Sequence, residues 1–360
     1  MRKAYLDGMR GWASLMVVLA HVIRGIAAPA VNSYEKPWLY FVSDGTLAVY
    51  IFFVISGFAL SCGFFETGRT SILAQLALRR YPRLTLPILA SCLISFALLE
   101  TGLVFNHEAA IYAKSAFWLG TFFGFTPAFP DLLRFSLFDV YFSYDPAHTY
   151  NSALWTMSTE LFGSMFVFGC LALFAETYLI PVYIASMVIL ILLHSPLVAF
   201  LLGMMLANAQ TKSQWFREDS AAKTVSGFVV IVTVVALCTW KKNISGDPNI
   251  MALVAALLVT AVAQSRTLRA FFERRLSNFL GHISFPLYLV HMSVIVSYSS
   301  FLLITLPEHG VSRQATVNYM VLTTLPLCIV AAILFAPIET IAIRASRAFA
   351  NVISNIARTK

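Results

Sequence analysis

The stretch YLDGMRGWASLMVVLAHVIRG, Tyr5 to Gly25, runs from a charged rim into an unbroken apolar segment and carries Arg10 and His21 eleven residues apart. An imidazole inside an apolar span is costly to bury and is a functional-site candidate by default. At ~1.5 Å rise per residue the two side chains lie ~16 Å apart along a helix. That places Arg10 at a membrane rim and His21 near the midplane. The pairing suits chemistry deep in the membrane with a soluble donor drawn from one side.

Composition sets the class. Hydrophobic residues make up 59% of the 360 and charged residues 12%, about half the charged share of a soluble chain. Mean hydropathy is +0.78. Apolar runs of spanning length recur along the chain. They predict an all-α, polytopic integral membrane bundle of about ten transmembrane helices, at 12–28, 44–64, 84–103, 152–174, 177–193, 196–209, 225–240, 249–264, 283–304 and 317–340. The short pair at 177–193 and 196–209, joined by His194, Ser195 and Pro196, reads as a tight helical hairpin. Residues 1–345 form one membrane domain on this reading, and 346–360 a cytoplasmic tail. No cleavable signal peptide, repeat or low-complexity linker is expected.

Charge fixes the expected orientation. With both termini cytoplasmic, 18 of the 25 Lys and Arg fall on the inner side and 7 on the outer, as the positive-inside rule requires for an even number of spans. The apolar, aromatic stretch at 116–129 would reverse every later loop if it crossed. It therefore reads as a re-entrant or interfacial segment. The net charge of +8 follows from membrane orientation and calls for no nucleic acid. Cys62, Cys92, Cys170, Cys238 and Cys328 all lie in apolar spans without a CxxC or Cys/His cluster. They read as core hydrophobes, and no metal site is expected.

Few ionisable groups fall inside the spans. His21, Glu160 and His291 lie deepest. Alone, His291 reads as a helix–helix hydrogen bond. His21 and Glu160 share a depth ~12–15 Å from a membrane face, so the expectation is a carboxylate–imidazole hydrogen bond that fixes the tautomer, or else a structural polar pair. In LALRRYPRLTLP, Arg79, Arg80 and Arg83 stand at the inner end of the third span, with Pro82 interrupting the helix there. They are either topology anchors or a phosphate site, since guanidinium groups bind phosphate oxygens in bidentate fashion. In FFVISGFAL, Ser56 and Gly57 are read as a close helix packing point, and no nucleophile elbow surrounds the serine.

Together these motifs resemble the acyltransferase-3 family of integral membrane O-acyltransferases. The resemblance runs from YLDGMRGWASLMVVLAHV through FFVISGFAL, RRYPRLTLP and NSALWTMSTELF to ISFPLYLVH. The family's Arg-x10-His pattern falls on Arg10 and His21, its Arg-x-x-Arg on Arg80 and Arg83, and its Trp-Thr-x-Ser-x-Glu on Trp155, Thr156, Ser158 and Glu160. The resemblance implies transfer of an acyl group, often acetyl, from cytoplasmic acyl-CoA to a carbohydrate hydroxyl. Acceptors of this kind include lipopolysaccharide, exopolysaccharide, glucans and lipid-linked sugars. It also implies a bacterial inner membrane location and, with no extracytoplasmic esterase-like domain in this chain, a separate partner protein for any later step. His21 is then the general base, with an acyl-histidine intermediate as the variant, and Glu160 orients His21 or the sugar. Arg80 and Arg83, with Arg79 and Arg10, hold the CoA phosphates. The expected acceptor-binding residues are Trp155, Ser158, Asn151 and Asp44. Aromatics such as Trp38, Trp118, Tyr141 and Tyr150 either stack a glycan or form an ordinary aromatic belt. The rival reading is a transporter without covalent chemistry, against which stands the lack of an inverted repeat.

Overall fold

A computed structural model describes residues 3–174, 178–216, 218–241 and 246–358. Every regular element among them is helical. Ten main helices stand at the ten expected positions: α1 Ala4–Ala30, α2 Gly45–Thr67, α3 Thr70–Glu100, α4 Met157–Phe174, α5 Leu179–Leu192, α6 Leu197–Lys212, α7 Ala221–Lys241, α8 Pro248–Gln264, α9 Ser284–Glu308 and α10 Arg313–Arg358. Among the described residues seven segments are long and apolar enough to cross a membrane, and α8 makes an eighth if it counts with Arg266–Phe272, from which it is bent by 104°. The count by length is therefore seven or eight, not ten. Helices α5 and α6 have 14 and 16 residues, and at ~1.5 Å per residue both fall short of a ~30 Å hydrocarbon core. They form the expected hairpin, with His194 in the left-handed region (φ 46°) at the turn.

Helix α2 is the centre of the bundle. It is apolar on every face, as a helix surrounded by others must be, and it packs on α1, α3, α4, α6 and α8. Its tightest partner is α6. A Cβ at Gly57 would lie 2.1 Å from Phe200 O, and one at Gly203 would lie 2.0 Å from Val54 O. Only glycine permits that approach, the packing role expected of the Ser56-Gly57 step. The same device joins α1 to the two short helices Arg266–Phe272 and Arg275–His282, where Gly8 abuts Phe272 and Gly11 abuts Leu280. All five cysteines are buried and unpaired. Helices α7 and α10 lie at the periphery, with Val232, Leu322 and Leu334 exposed, the surface that lipid would cover.

Two boundaries differ from expectation. Pro82 does not interrupt α3, which runs unbroken from Thr70 to Glu100 with Pro82 and Pro87 inside it. The arginines thus lie within the helix rather than at its end. A proline removes one ladder bond, which neighbouring helices in a packed bundle compensate. Helix α10 continues to Arg358, through the boundary expected at 345.

The segment at 116–129 is not a spanning helix. It folds as turns and a short 3-10 helix at Leu119–Thr121, over the end of the bundle that holds His21. Irregular backbone is tolerated where protein covers it or where it lines a cavity. Ser115 Oγ donates to Gly25 O at 2.5 Å, and Asn106 Nδ2 donates to Leu119 O and Phe122 O, both at 2.9 Å. Its Trp118 ring lies flat on α1, so close that a Cβ at Gly25 would sit 2.6 Å from it.

Candidate active site: two cavities back to back

The bundle encloses a basic cavity of about 410 Å³ among α1, α2, α3, the start of α4, the start of α9 and the middle of α10. Arg10, Arg79, Arg80, Arg83 and Arg347 line it, against the carboxylates of Asp7, Glu160 and Glu339. The ridge of α3 explains the cluster: residues three and four apart share a helix face, so 79, 80 and 83 present together. The buried Nε atoms of Arg10, Arg79 and Arg80 have no hydrogen-bond partner. Buried donors are normally satisfied, so these orphans point to an anionic guest. The sequence placed Arg347 in a tail. Its signal lay in the helical spacing of the 336–347 run, which continues the cavity face of α10.

A second cavity of about 320 Å³ lies toward the other end, lined by Val17, His21, Arg24, Asp44, Trp118, Trp155 and others. Val49 and Tyr288 line both cavities. The two chambers therefore meet at these two side chains. The Tyr288 hydroxyl donates to Ala153 O and lies 2.7 Å from Thr156 Oγ1, which holds the ring in the partition.

His21 and Glu160 are not partners. Glu160 Oε1 is paired with the Arg80 guanidinium and accepts from Ser56 Oγ at 2.6 Å. It lies in the basic cavity, while His21 lines the other. Two features of the fold account for the correction. Helix α1 begins at Ala4, so His21 lies seventeen residues along it and closer to the far end. Equal depth also says nothing of azimuth, and α4 turns Glu160 toward α2 and α3. A guanidinium offsets the burial of a carboxylate better than a neutral imidazole does.

The partner of His21 is instead His291, on α9, with Nδ1 of His21 2.9 Å from Nε2 of His291. The ring centroids lie 5.1 Å apart with their planes within 10° of each other, the edge-to-edge arrangement of an in-plane hydrogen bond, and Trp118 stacks on His21 at a centroid distance of 5.1 Å. His21 is thus held at one edge by His291 and across one face by Trp118. Both helices leave regular α geometry beside these residues, as π-helices at Ala20–Ala27 and Ile295–Ser299. Such wide turns re-aim side chains and recur at functional sites.

The expected acceptor residues divide. Asp44 lines the histidine cavity and caps α2, accepting from Leu47 N at 2.9 Å, while its Oδ2 is buried without a partner. Trp155 lines the same cavity and is about half exposed. Asn151 is placed elsewhere: it is fully buried, donates to Leu289 O at 2.7 Å and accepts from Ala153 N at 3.1 Å. Those bonds commit it to anchoring the loop before α4. Ser158 lines neither cavity. No cluster of three or more metal-ligating side chains occurs among the described residues.

Neither the curated proteins nor the solved structures yield a match to this chain. A family model described as an acyltransferase domain matches residues 3–338, nearly the whole length, and the protein belongs to the acyltransferase-3 family of membrane acyltransferases.

Proposed function

We propose that this acyltransferase takes its acyl group from acyl-CoA, with acetyl-CoA the first candidate donor, and passes it to a hydroxyl of a cell-surface carbohydrate or glycolipid. The observation that supports this most is the pair of cavities meeting at Val49 and Tyr288, one lined by arginines and the other by His21. Arg10, Arg79, Arg83 and Arg347 would hold the phosphates of CoA through charge-assisted bonds. Arg80 is already paired with Glu160 and would contribute its remaining donors. The pantetheine arm would run along α2 toward the partition and present the thioester there.

In the second cavity the acceptor hydroxyl gives its proton to His21 as its oxygen attacks the thioester carbon. The C–O bond forms, the C–S bond breaks, and the departing thiolate takes the proton from His21. Asp44 Oδ2 would accept from a second sugar hydroxyl, and Trp155 and Trp118 offer apolar faces for a sugar ring. The basic cavity opens at the end that the charge bias assigns to the cytoplasm of a bacterial inner membrane, where acyl-CoA is made.

Purified protein in nanodiscs, given radiolabelled acetyl-CoA and glycans from the producing cell, is expected to yield a labelled ester and free CoA. Mass spectrometry of surface glycans from a deletion strain should show the same ester missing. A protein that binds acetyl-CoA but gives no covalent product with any fraction of those glycans would favour a transporter.

A further inference from the structure

The hydrogens of the two hydrogen-bonded imidazoles can be assigned from one fixed point. His291 Nδ1 lies 3.0 Å from the carbonyl oxygen of Leu287, one turn back on α9. A backbone carbonyl only accepts, so Nδ1 carries the hydrogen. His291 is fully buried and forms no ion pair with a carboxylate among the described residues, so a charge on it would go uncompensated in a low-dielectric interior. In the neutral ring Nε2 is then a bare lone pair. That atom faces His21 Nδ1 at 2.9 Å, and the contact is a hydrogen bond only if His21 Nδ1 is the donor. By elimination the lone pair of His21 is on Nε2.

We propose that His291 is the positioning residue of this enzyme: through the chain Leu287 O, His291, His21 it fixes His21 as the Nδ1–H tautomer and reserves Nε2 for the acceptor hydroxyl. The inference rests on the general-base reading above and adds to it the identity of the basic atom and of the group that selects it. Which ring nitrogen reacts is set by the bond the other one makes. In hydrolytic triads a buried carboxylate does this; here a neutral imidazole does it. When His21 takes the acceptor proton it becomes an imidazolium whose Nδ1–H still donates to His291 Nε2. The bond therefore strengthens at the moment charge develops, and no second charge is buried in the resting state. Trp118, stacked on a face of His21, restricts rotation of the ring out of that plane.

The test is 15N NMR of histidine-labelled protein in nanodiscs, with the His21 signals assigned by their loss in His21→Gln. The expected wild-type spectrum shows His21 Nδ1 protonated and Nε2 unprotonated. In His291→Leu the preference is expected to collapse toward a mixture of tautomers, and turnover to fall about 100-fold at unchanged affinity for the donor. His291→Gln places an amide oxygen near the position of Nε2, so it can accept from His21. It is expected to bring turnover back to within about tenfold of wild type and to restore the single tautomer. A wild-type His21 with a bare Nδ1 overturns the proposal, as do equal turnovers in the Leu and Gln variants. If His291→Leu does not fold, the wild-type spectrum and the Gln variant decide alone. A correct tautomer in a protein that transfers no acyl group would sink the enzymatic reading and leave the positioning chain standing.

Discussion

At the residue scale the proposed function gives the ionisable groups of the two cavities separable tasks. His21→Ala is expected to abolish transfer while the protein still inserts and folds, because the half-buried ring lines a cavity and its removal leaves only His291 Nε2 without a partner. Normal product from a well-folded His21→Ala protein would remove the general base from the mechanism. Arg79 and Arg347 both line the basic cavity. Each alanine substitution is expected to weaken acetyl-CoA binding by about tenfold, the loss of one charged hydrogen bond, with little change in turnover at saturating donor. Isothermal titration checks this, and wild-type affinity in both would return them to anchoring. Glu160 has a different part. Removing its charge leaves Arg80 buried without its counter-ion, so Glu160→Gln is expected to lose about 3–5 kcal/mol of stability. Thermal unfolding in detergent reads that loss, and an unshifted transition would contradict it. What the sequence showed of this site follows from physics. Charged groups are conspicuous in apolar spans, so His21, Glu160 and the arginines stood out. Their pairing was not legible, because a helix start at Ala4 and the azimuth of α4 are tertiary facts. His291 looked like packing because its role exists only through His21.

At the scale of elements, existence and rough position were legible and ends were not. Runs of apolar residues mark helices wherever they occur, and a helix overlaps each of the ten expected stretches, though by length only seven or eight segments among the described residues could cross a membrane. The boundary of α3 was misread because Pro82 normally stops a helix, whereas in a packed bundle the freed carbonyl finds other partners. That one difference moves Arg79, Arg80 and Arg83 from a rim into the wall of a cavity. The central pairing of α2 with α6 makes the sharpest demand on sequence. Gly203→Ala would drive a methyl group into the Val54 carbonyl, whose oxygen lies 2.0 Å from the ideal Cβ. Backbone must then shift, and the expected cost is about 1–3 kcal/mol. Because α2 supplies Val49 to the partition and Phe52 beneath Arg10, the same substitution should also reduce turnover. Equal melting temperature and activity in Gly203→Ala would mean that the two helices are not held at this distance.

At the scale of the whole molecule the two cavities lie toward opposite ends of the bundle. The basic cavity belongs to the end where α1 and α3 begin, and the histidine cavity to the end covered by the 101–151 segment. On the proposed reading, the bias of 18 to 7 in Lys and Arg would put the first end in the cytoplasm, and transfer would be vectorial. Since all five native cysteines are buried, single cysteines introduced at exposed positions can be read in intact cells with a membrane-impermeant maleimide. Ser71 at the start of α3 and Asn351 near the end of α10 mark one side; Ala147 and Ser312 mark the other, and all four are exposed. Ala147→Cys and Ser312→Cys are expected to label in intact cells. Ser71→Cys and Asn351→Cys are expected to label only after the membrane is permeabilised. The pattern separates three cases. The reverse pattern would turn the arginines outward, away from any cytosolic acyl-CoA, and defeat the donor assignment. Protection at Ser71 with labelling at Asn351 would mean an odd number of crossings, so that one of the short helices α5 or α6, or the bent α8, fails to traverse. The expected pattern holds whether the α5–α6 hairpin crosses and returns or only dips into the membrane, because either way the pair leaves the chain on the side where it entered; a hairpin of that length that does traverse would need a bilayer thinned around it.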